Sequence, residues 1–345
     1  MAHEAAVVIG IDLGKNWFHL VGIDRHGKPV LKKKLNRVQL AQFSATAPKC
    51  IVAMESCPGS QHWGRKFSEH GHEIKIIPAQ FVKPYLKSNK NDFNDAEAIA
   101  EAATRPTMRL VPLKNVEQLE LQATHRVRER FVSERTAVVN QMRALLLENG
   151  ITVSVGRESF ARRIPEILEN AENGLSFRMR QLIHRLRQRW LALDEEIAEV
   201  TSLIRDVAEQ SELCKRALTV PGVGPIVSTA LIAAVGNARA FKRGRDMAAW
   251  LGLVPRQHST GGKSTLGGIS KRGNTYLRKL FIQGAQVLLI NMKRDRSRLG
   301  AWLKEIEARR HRNVVVVALA NKLVRICWKV LATGTEYRPF PSRAT

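Results

Sequence analysis

Over the first hundred residues, short apolar runs alternate with polar turns. AAVVIGIDLG, WFHLVGID and PVLKKKL are separated by Lys15-Asn16 and by RHGK, which predicts three antiparallel strands joined by tight turns. The stretch VQLAQFSA has the spacing of a short helix, and CIVAMES is a buried strand closing near Glu55. A helix over about 60–70 stops at Gly71, HEIKIIPA supplies another strand, and a helix from about 94 to 104 ends before Pro106. Asn94 is the expected N-cap of that last helix, with Glu97 as its capping-box partner.

Three antiparallel strands, then strand–helix alternation, give a mixed sheet with helices packed on it, the order of an RNase H-like α/β fold. Past Pro112 the pattern changes. Residues 116–149 contain neither Pro nor Gly and carry apolar residues at spacings of three and four. A second helical stretch, about 176–210, holds the basic RMRQLIHRLRQRW and then the acidic LALDEEIAEV. Together they predict a helical hairpin or coiled-coil arm. From 211 onward LTVPGVGPIVSTALIAAVG has the form of a helix-hairpin-helix element in a mainly α region. Its Gly222 and Gly224 can turn backbone N–H groups toward a phosphate. The expected divisions are therefore 1–112, 113–210 and 211–345.

Charge narrows the partner. The 345 residues carry 56 Lys and Arg against 31 Asp and Glu, a net charge of +25, while 44% hydrophobic content argues for a folded chain. Such an excess suits a polyanion, nucleic acid before an anionic membrane. The four cysteines form no CxxC pair, so neither a zinc ribbon nor a disulfide framework is expected. No signal peptide is expected from MAHEAAVVIGID. The longest aliphatic run, VVVVALA at 314–320, is far short of the ~20 residues that span a bilayer. A cytoplasmic, nucleoid-associated protein follows.

Against this basic background certain acids stand out. Asp12 ends the first apolar strand and Glu55 ends another, where an unpaired carboxylate is costly unless it meets a cation. Adjacent strands would bring both to one edge. Asp92 and Asp95, three apart at a helix start, share a face that can pack there. Four converging carboxylates are an oxygen-only donor set for Mg²⁺ or Mn²⁺, and two such ions about 4 Å apart can organise phosphoryl transfer. Far downstream, PRQHSTGGKSTLGGISKRGN reads as a mobile Gly-rich loop with Ser259, Thr260 and Ser264 among cations. A hydroxyl beside a phosphate-gripping cluster is a candidate nucleophile. Arg256, Lys263, Lys271, Arg272, Arg278 and Lys279 are the expected nucleic-acid contacts. GGKS is not a phosphate-binding P-loop, because its first Gly would fall at Gln257.

IGIDLGKN, AMES, NDFNDAEAIA, VPGVG, LGLVPRQHSTGG and GGISKRGN, in this order and spacing, resemble the DEDD transposases of bacterial insertion sequences over nearly the whole chain. The resemblance implies a RuvC-like N-terminal domain, a helical linker and a C-terminal transposase domain with a catalytic serine. It makes Asp12, Glu55, Asp92 and Asp95 the DEDD acids. It also implies that DNA (element ends or junction, and target) is recombined under the guidance of an element-encoded structured RNA, by a homo-oligomer, dimer or tetramer. In the family pattern the serine immediately precedes a glycine, a position held here by Thr260. Register therefore favours Thr260, while the less hindered primary hydroxyl favours Ser259; both are retained, Ser259 ahead. Two other classes compete. An RNase H-like Holliday-junction resolvase would use water and need only the acids. An actin- or sugar-kinase-like ATPase lacks its second phosphate loop and its adenosine site in this sequence.

Overall fold

The computed structural model describes residues 6–87, 91–294 and 297–339. Residues 1–5, and Asn89 and Lys90 of the NKNDFNDAEAIA stretch, lie outside them. The chain divides into two compact units, Met1–Val116 and Glu117–Thr345. The helical arm expected over 113–210 thus falls, nearly all of it, in the same unit as the C-terminal region.

The first unit is built on five strands: β1 (Val8–Leu13), β2 (Trp17–Ile23), β3 (Pro29–Asn36), β4 (Ile51–Glu55) and β5 (Glu73–Ile77). Their order is β3-β2-β1-β4-β5, with β1–β2 and β2–β3 antiparallel and β1–β4 and β4–β5 parallel. The central strands are buried on both faces, so alternation along them sorts side chains between two cores. Ile9, Ile11, Phe18, Leu20, Val52 and Met54 face helices α1 (Arg37–Thr46) and α2 (Ser60–Glu69). Val8, Val21, Ile23 and Ala53 face the other way. There they meet a short helix α3 (Ala79–Val82) and the helix α4 (Asp92–Ala103), which buries Ala96, Ile99, Ala100 and Ala103.

The N-cap of α4 is Asn91, whose side chain accepts from the Phe93 N–H, and not Asn94. Helix initiation two residues earlier than expected places both Asp92 and Asp95 in the first turn. A residue with no side chain lets α4 sit close: a Cβ on Gly10 would overlap the Ala96 carbonyl oxygen and approach Ala100 N to 2.5 Å.

In the second unit α5 (Val116–Glu148), α6 (Arg157–Glu169) and α7 (Phe177–Gln210) share one core. Arg128 reaches Thr201 and Arg135 reaches Asp194, so α5 and α7 run antiparallel, as the sequence predicts. Helix α6 was not expected. Phe160, Ile164 and Ile167 fill the hairpin from one side, with Phe160 stacked on Trp190 at 5.7 Å. A second core joins α8 (Glu212–Leu218), α9 (Pro225–Val235), α10 (Gly244–Trp250), α11 (Thr275–Asn291), α12 (Arg298–Glu307) and α13 (Arg312–Thr333). Two strands project from it, β6 (Pro255–Thr260) and β7 (Lys263–Ile269). No helix of the described residues is long and apolar enough to cross a membrane.

Candidate active site

The alternation that builds the first unit also assembles its acids. Asp12 lies two residues beyond Gly10 on β1, so its side chain shares the α4 face of the sheet. The β1–β4 register pairs Ile11 with Met54, which brings Asp12 alongside Glu55, and Glu55 lies two residues beyond Ala53 on that same face. On α4, Asp92, Asp95, Ala96, Ile99 and Ala103 follow helical spacing, so the helix that buries its alanines on the sheet aims both aspartates at the strand ends.

The outcome is electrostatic frustration. Burial pushes the Asp12 carboxyl above the usual aspartate range, and the charges of Asp95, Asp92 and Glu55 push it further; only His19 opposes them. Among the described residues, no lysine or arginine forms an ion pair with any of the four. A set of oxygens that repel one another and lack a cationic side chain fits a divalent cation. Burial raises the Cys57 thiol above its usual range, and the charges of Glu55 and Asp12 add to the shift.

The sequence reading missed His19. It is the cross-strand partner of Asp12, buried, and packed edge-on against Phe93 at 4.8 Å between centroids. Its Nδ1 lies 3.4 Å from Asp92 Oδ2, and donor atoms of Asp12, His19 and Asp92 all lie within 4.8 Å of one another. The signal that could have found it is the tight turn after Leu13: pairing Leu13 with Phe18 puts residue 19 opposite residue 12.

The downstream hydroxyls sit in a different setting from the mobile loop expected. PRQHST and KSTLGGI form an antiparallel hairpin turned by Gly261 and Gly262, both at positive φ (+54° and +79°). Ser259 pairs with Ser264 and Thr260 with Lys263, so the two candidate hydroxyls point to opposite faces. Ser259 Oγ accepts from the Gln257 side-chain amide at 2.8 Å, and Thr260 has Lys263 as its cross-strand partner. Arg256 lies at a register shift, exposed.

The remaining expected contacts divide. Arg278 is buried rather than available: Nη1 donates to the carbonyls of Leu251 (3.0 Å) and Arg272 (2.8 Å), tying the 271–273 segment to the end of α10. Lys279 is paired with Glu129 at 2.6 Å, whereas Lys263, Lys271 and Arg272 are exposed. Gly222, at φ +78°, has a packing reason to be glycine, since its Cβ would come within 2.9 Å of the Gly284 carbonyl oxygen. Gly224 caps α9, with open space where its Cβ would be.

Comparison with known proteins gives the family of the chain. Residues 9–150 match a transposase model of the DEDD, IS110 type, and residues 214–299 match the model described as transposase IS116/IS110/IS902 family. The transposase for insertion sequence element IS1328 of Yersinia enterocolitica is 45% identical over 96% of this chain and 98% of its own. A probable family 20 transposase of Pseudomonas aeruginosa is 44% identical over the same shares. The transposase for insertion sequence element IS1111A of Coxiella burnetii is 43% identical over 96% of this chain and 91% of its own. The chain belongs to the IS110/IS116/IS902 family of insertion-sequence transposases, enzymes that cut and join DNA.

Proposed function

We propose that this transposase recombines DNA with two sets of groups: a metal-holding acid cluster on an RNase H-like N-terminal domain, and a hydroxyl nucleophile on the β6–β7 hairpin. The observation that carries the first part is the mutual repulsion focused on Asp12 by Asp95, Asp92 and Glu55. Mg²⁺ or Mn²⁺ bound by these residues would supply Lewis-acid stabilisation of charge on a phosphate oxygen. The acids fix where that charge is neutralised, and the close seating of α4 on Gly10 holds them there.

At the hairpin, the Ser259 Oγ–phosphorus bond forms as the phosphodiester bond to the departing strand breaks. The hydroxyl proton passes to solvent and the departing oxygen takes one up. The covalent link preserves the bond energy needed for rejoining, which water attack would not. Ser259 is preferred to Thr260 as a primary hydroxyl already oriented by Gln257. Arg256, Lys263, Lys271 and Arg272 would grip backbone phosphates, with open space at Gly224 letting a backbone approach the start of α9. A guide RNA encoded by the element would choose the DNA, and two or more subunits would act together because each cut strand needs its own nucleophile.

Incubation with a nicked DNA substrate tests the hairpin assignment. Ser259→Ala is expected to abolish the covalent protein–DNA adduct, with Thr260→Ala retaining at least a tenth of it, a loss of no more than about 1.4 kcal/mol in barrier. The reverse pattern moves the nucleophile to Thr260. Cutting with no adduct in either protein supports the water-using resolvase. RNA copurified from cells carrying the whole locus tests guidance: a discrete structured species from beside the gene is expected, and its absence removes the guide.

His19 bears on metal choice. An imidazole nitrogen beside carboxylate oxygens favours Mn²⁺ over Mg²⁺, which prefers oxygen throughout. Calorimetric titration is expected to give tighter Mn²⁺ than Mg²⁺ binding, and His19→Gln to narrow that ratio about tenfold. An unchanged ratio would limit His19 to orienting Asp92.

A further inference from the structure

A large cavity lined by described residues lies in the second unit and has no role in the chemistry above. It is an open groove of about 1750 Å³ floored by α13 and bounded by the start of α10, Trp302 of α12, and Thr335–Arg338. One end is formed by Pro255 and by Gly267, Gly268 and Ile269, the base of the hairpin whose tip carries Ser259 and Thr260.

Its lining combines two unlike chemistries. Val314, Val317 and Ile326, with Trp302, Trp328 and Tyr337, give it an apolar and aromatic floor, and Val314 is 51% exposed. Around them stand Arg243, Arg245, Lys322, Arg325, Lys329 and Arg338, against one carboxylate, Glu336. Arg243 pairs with Asp246, but Arg245, Arg325, Lys329 and Arg338 form no ion pair among the described residues. Lys322 lies over the Trp302 ring, 4.0 Å from its centroid, and burial together with the neighbouring Arg325 pulls its ammonium below the usual lysine range. A half-buried cation beside a second cation, answered only in part by the charge of Glu305, is a site short of negative charge.

We propose that this groove binds an unpaired segment of single-stranded DNA, its bases against the aromatic floor and its phosphates against the cationic rim. The occupant must bring flat apolar faces and repeated negative charge together. A DNA duplex hides its bases, an apolar helix would leave the cations unanswered, a lipid has neither flat faces nor repeated phosphates, and an unpaired strand offers both. The volume exceeds the ~300–1,000 Å³ of small-molecule pockets and suits several nucleotides. The groove's end at the hairpin base would lead that strand toward the hydroxyls. This last point rests on the proposed nucleophile, whereas the binding itself does not.

The test uses the full chain and a fluorescein-labelled 12-nucleotide DNA, followed by anisotropy against salt, beside the same sequence as duplex and as RNA. Arg325→Glu with Lys329→Glu is expected to weaken single-strand binding at least tenfold and to flatten the salt slope by about 1.4, at ~0.7 per phosphate contact. Duplex affinity should stay within twofold. Independently, the oligonucleotide should quench tryptophan emission in the wild type and much less in Trp302→Phe, a conservative change that keeps the packing. Ser259→Ala and Thr260→Ala should bind the strand like wild type, so an adduct retained in both, with binding intact, would overturn the nucleophile alone. Unchanged single-strand affinity in the double variant, an equal loss for duplex, or tighter binding of the RNA than of the DNA would each overturn the assignment. So would a change in self-association, read by sedimentation, that leaves strand binding untouched, since the groove would then hold a second copy of the chain.

Discussion

Asp12→Asn is expected to give a folded protein that still binds DNA and cuts it at least about a thousandfold more slowly, some 4 kcal/mol of lost barrier lowering. The asparagine keeps the shape of the side chain and removes the charge at the point where the other three acids converge. Stability should change in the opposite sense from activity. The Asp12 carboxyl of the folded protein holds its proton to higher pH than that of the unfolded chain. As pH rises from the ordinary aspartate value through the raised one, the unfolded chain ionises first, and the metal-free protein loses stability across that window. Asn escapes this loss, so at neutral pH without divalent ions the variant should melt above wild type. Adding Mg²⁺ or Mn²⁺ at about a hundred times its dissociation constant should then stabilise wild type by about 2.7 kcal/mol and the variant far less. Melting curves with and without metal read both effects. A variant that melts lower without metal, or that gains as much from it, would remove Asp12 from the metal site.

Gly10→Ala should be the most disruptive single methyl in the first unit. The obstacles to a Cβ are backbone atoms of α4, at Ala96 and Ala100, and these cannot rotate aside as a side-chain end would. Overpacking costs about 1–3 kcal/mol, and with no yielding neighbour the upper end is expected. The only relief is for α4 to lift from β1, taking Asp92 and Asp95 with it. A shift near 1 Å in reacting groups costs about a hundredfold in rate. Activity should therefore fall well beyond what the unfolded fraction explains, and metal affinity should fall with it. Denaturant unfolding and metal titration of the same preparation separate the two. Wild-type stability in this variant would mean that α4 does not sit on β1 as described.

The elements that could be anticipated from sequence are those with one wet side or one unbroken apolar run. Strands β1, β2 and β4 announce themselves by apolar residues, and an acid closing such a run is conspicuous because packing gives it no reason to be there. Asn91 and Asn94 are equally good caps locally; tertiary seating decided between them. Helix α6 carries Phe160, Ile164 and Ile167 at helical spacing, but Pro165 and a basic surround masked the pattern. The hairpin escaped because nearly all of β6 and β7 is exposed on both faces, which leaves no alternation to detect. His19 and Arg278 depend on register and burial, which composition does not encode: one became part of the acid site, the other a clasp between backbone carbonyls.

The exposed hairpin has a consequence for the host cell. A two-stranded ribbon without a packed face is marginal by itself, and Gln257 to Gly268 have little but their own ladder to hold them. With the proposed nucleophile at the tip of such a ribbon, an idle enzyme orients its reactive group by little more than the Gln257 side-chain amide. Only a partner laid along the strands would stiffen it. A mobile element that must not damage the chromosome it inhabits thereby gains a safety catch, released by the substrate itself.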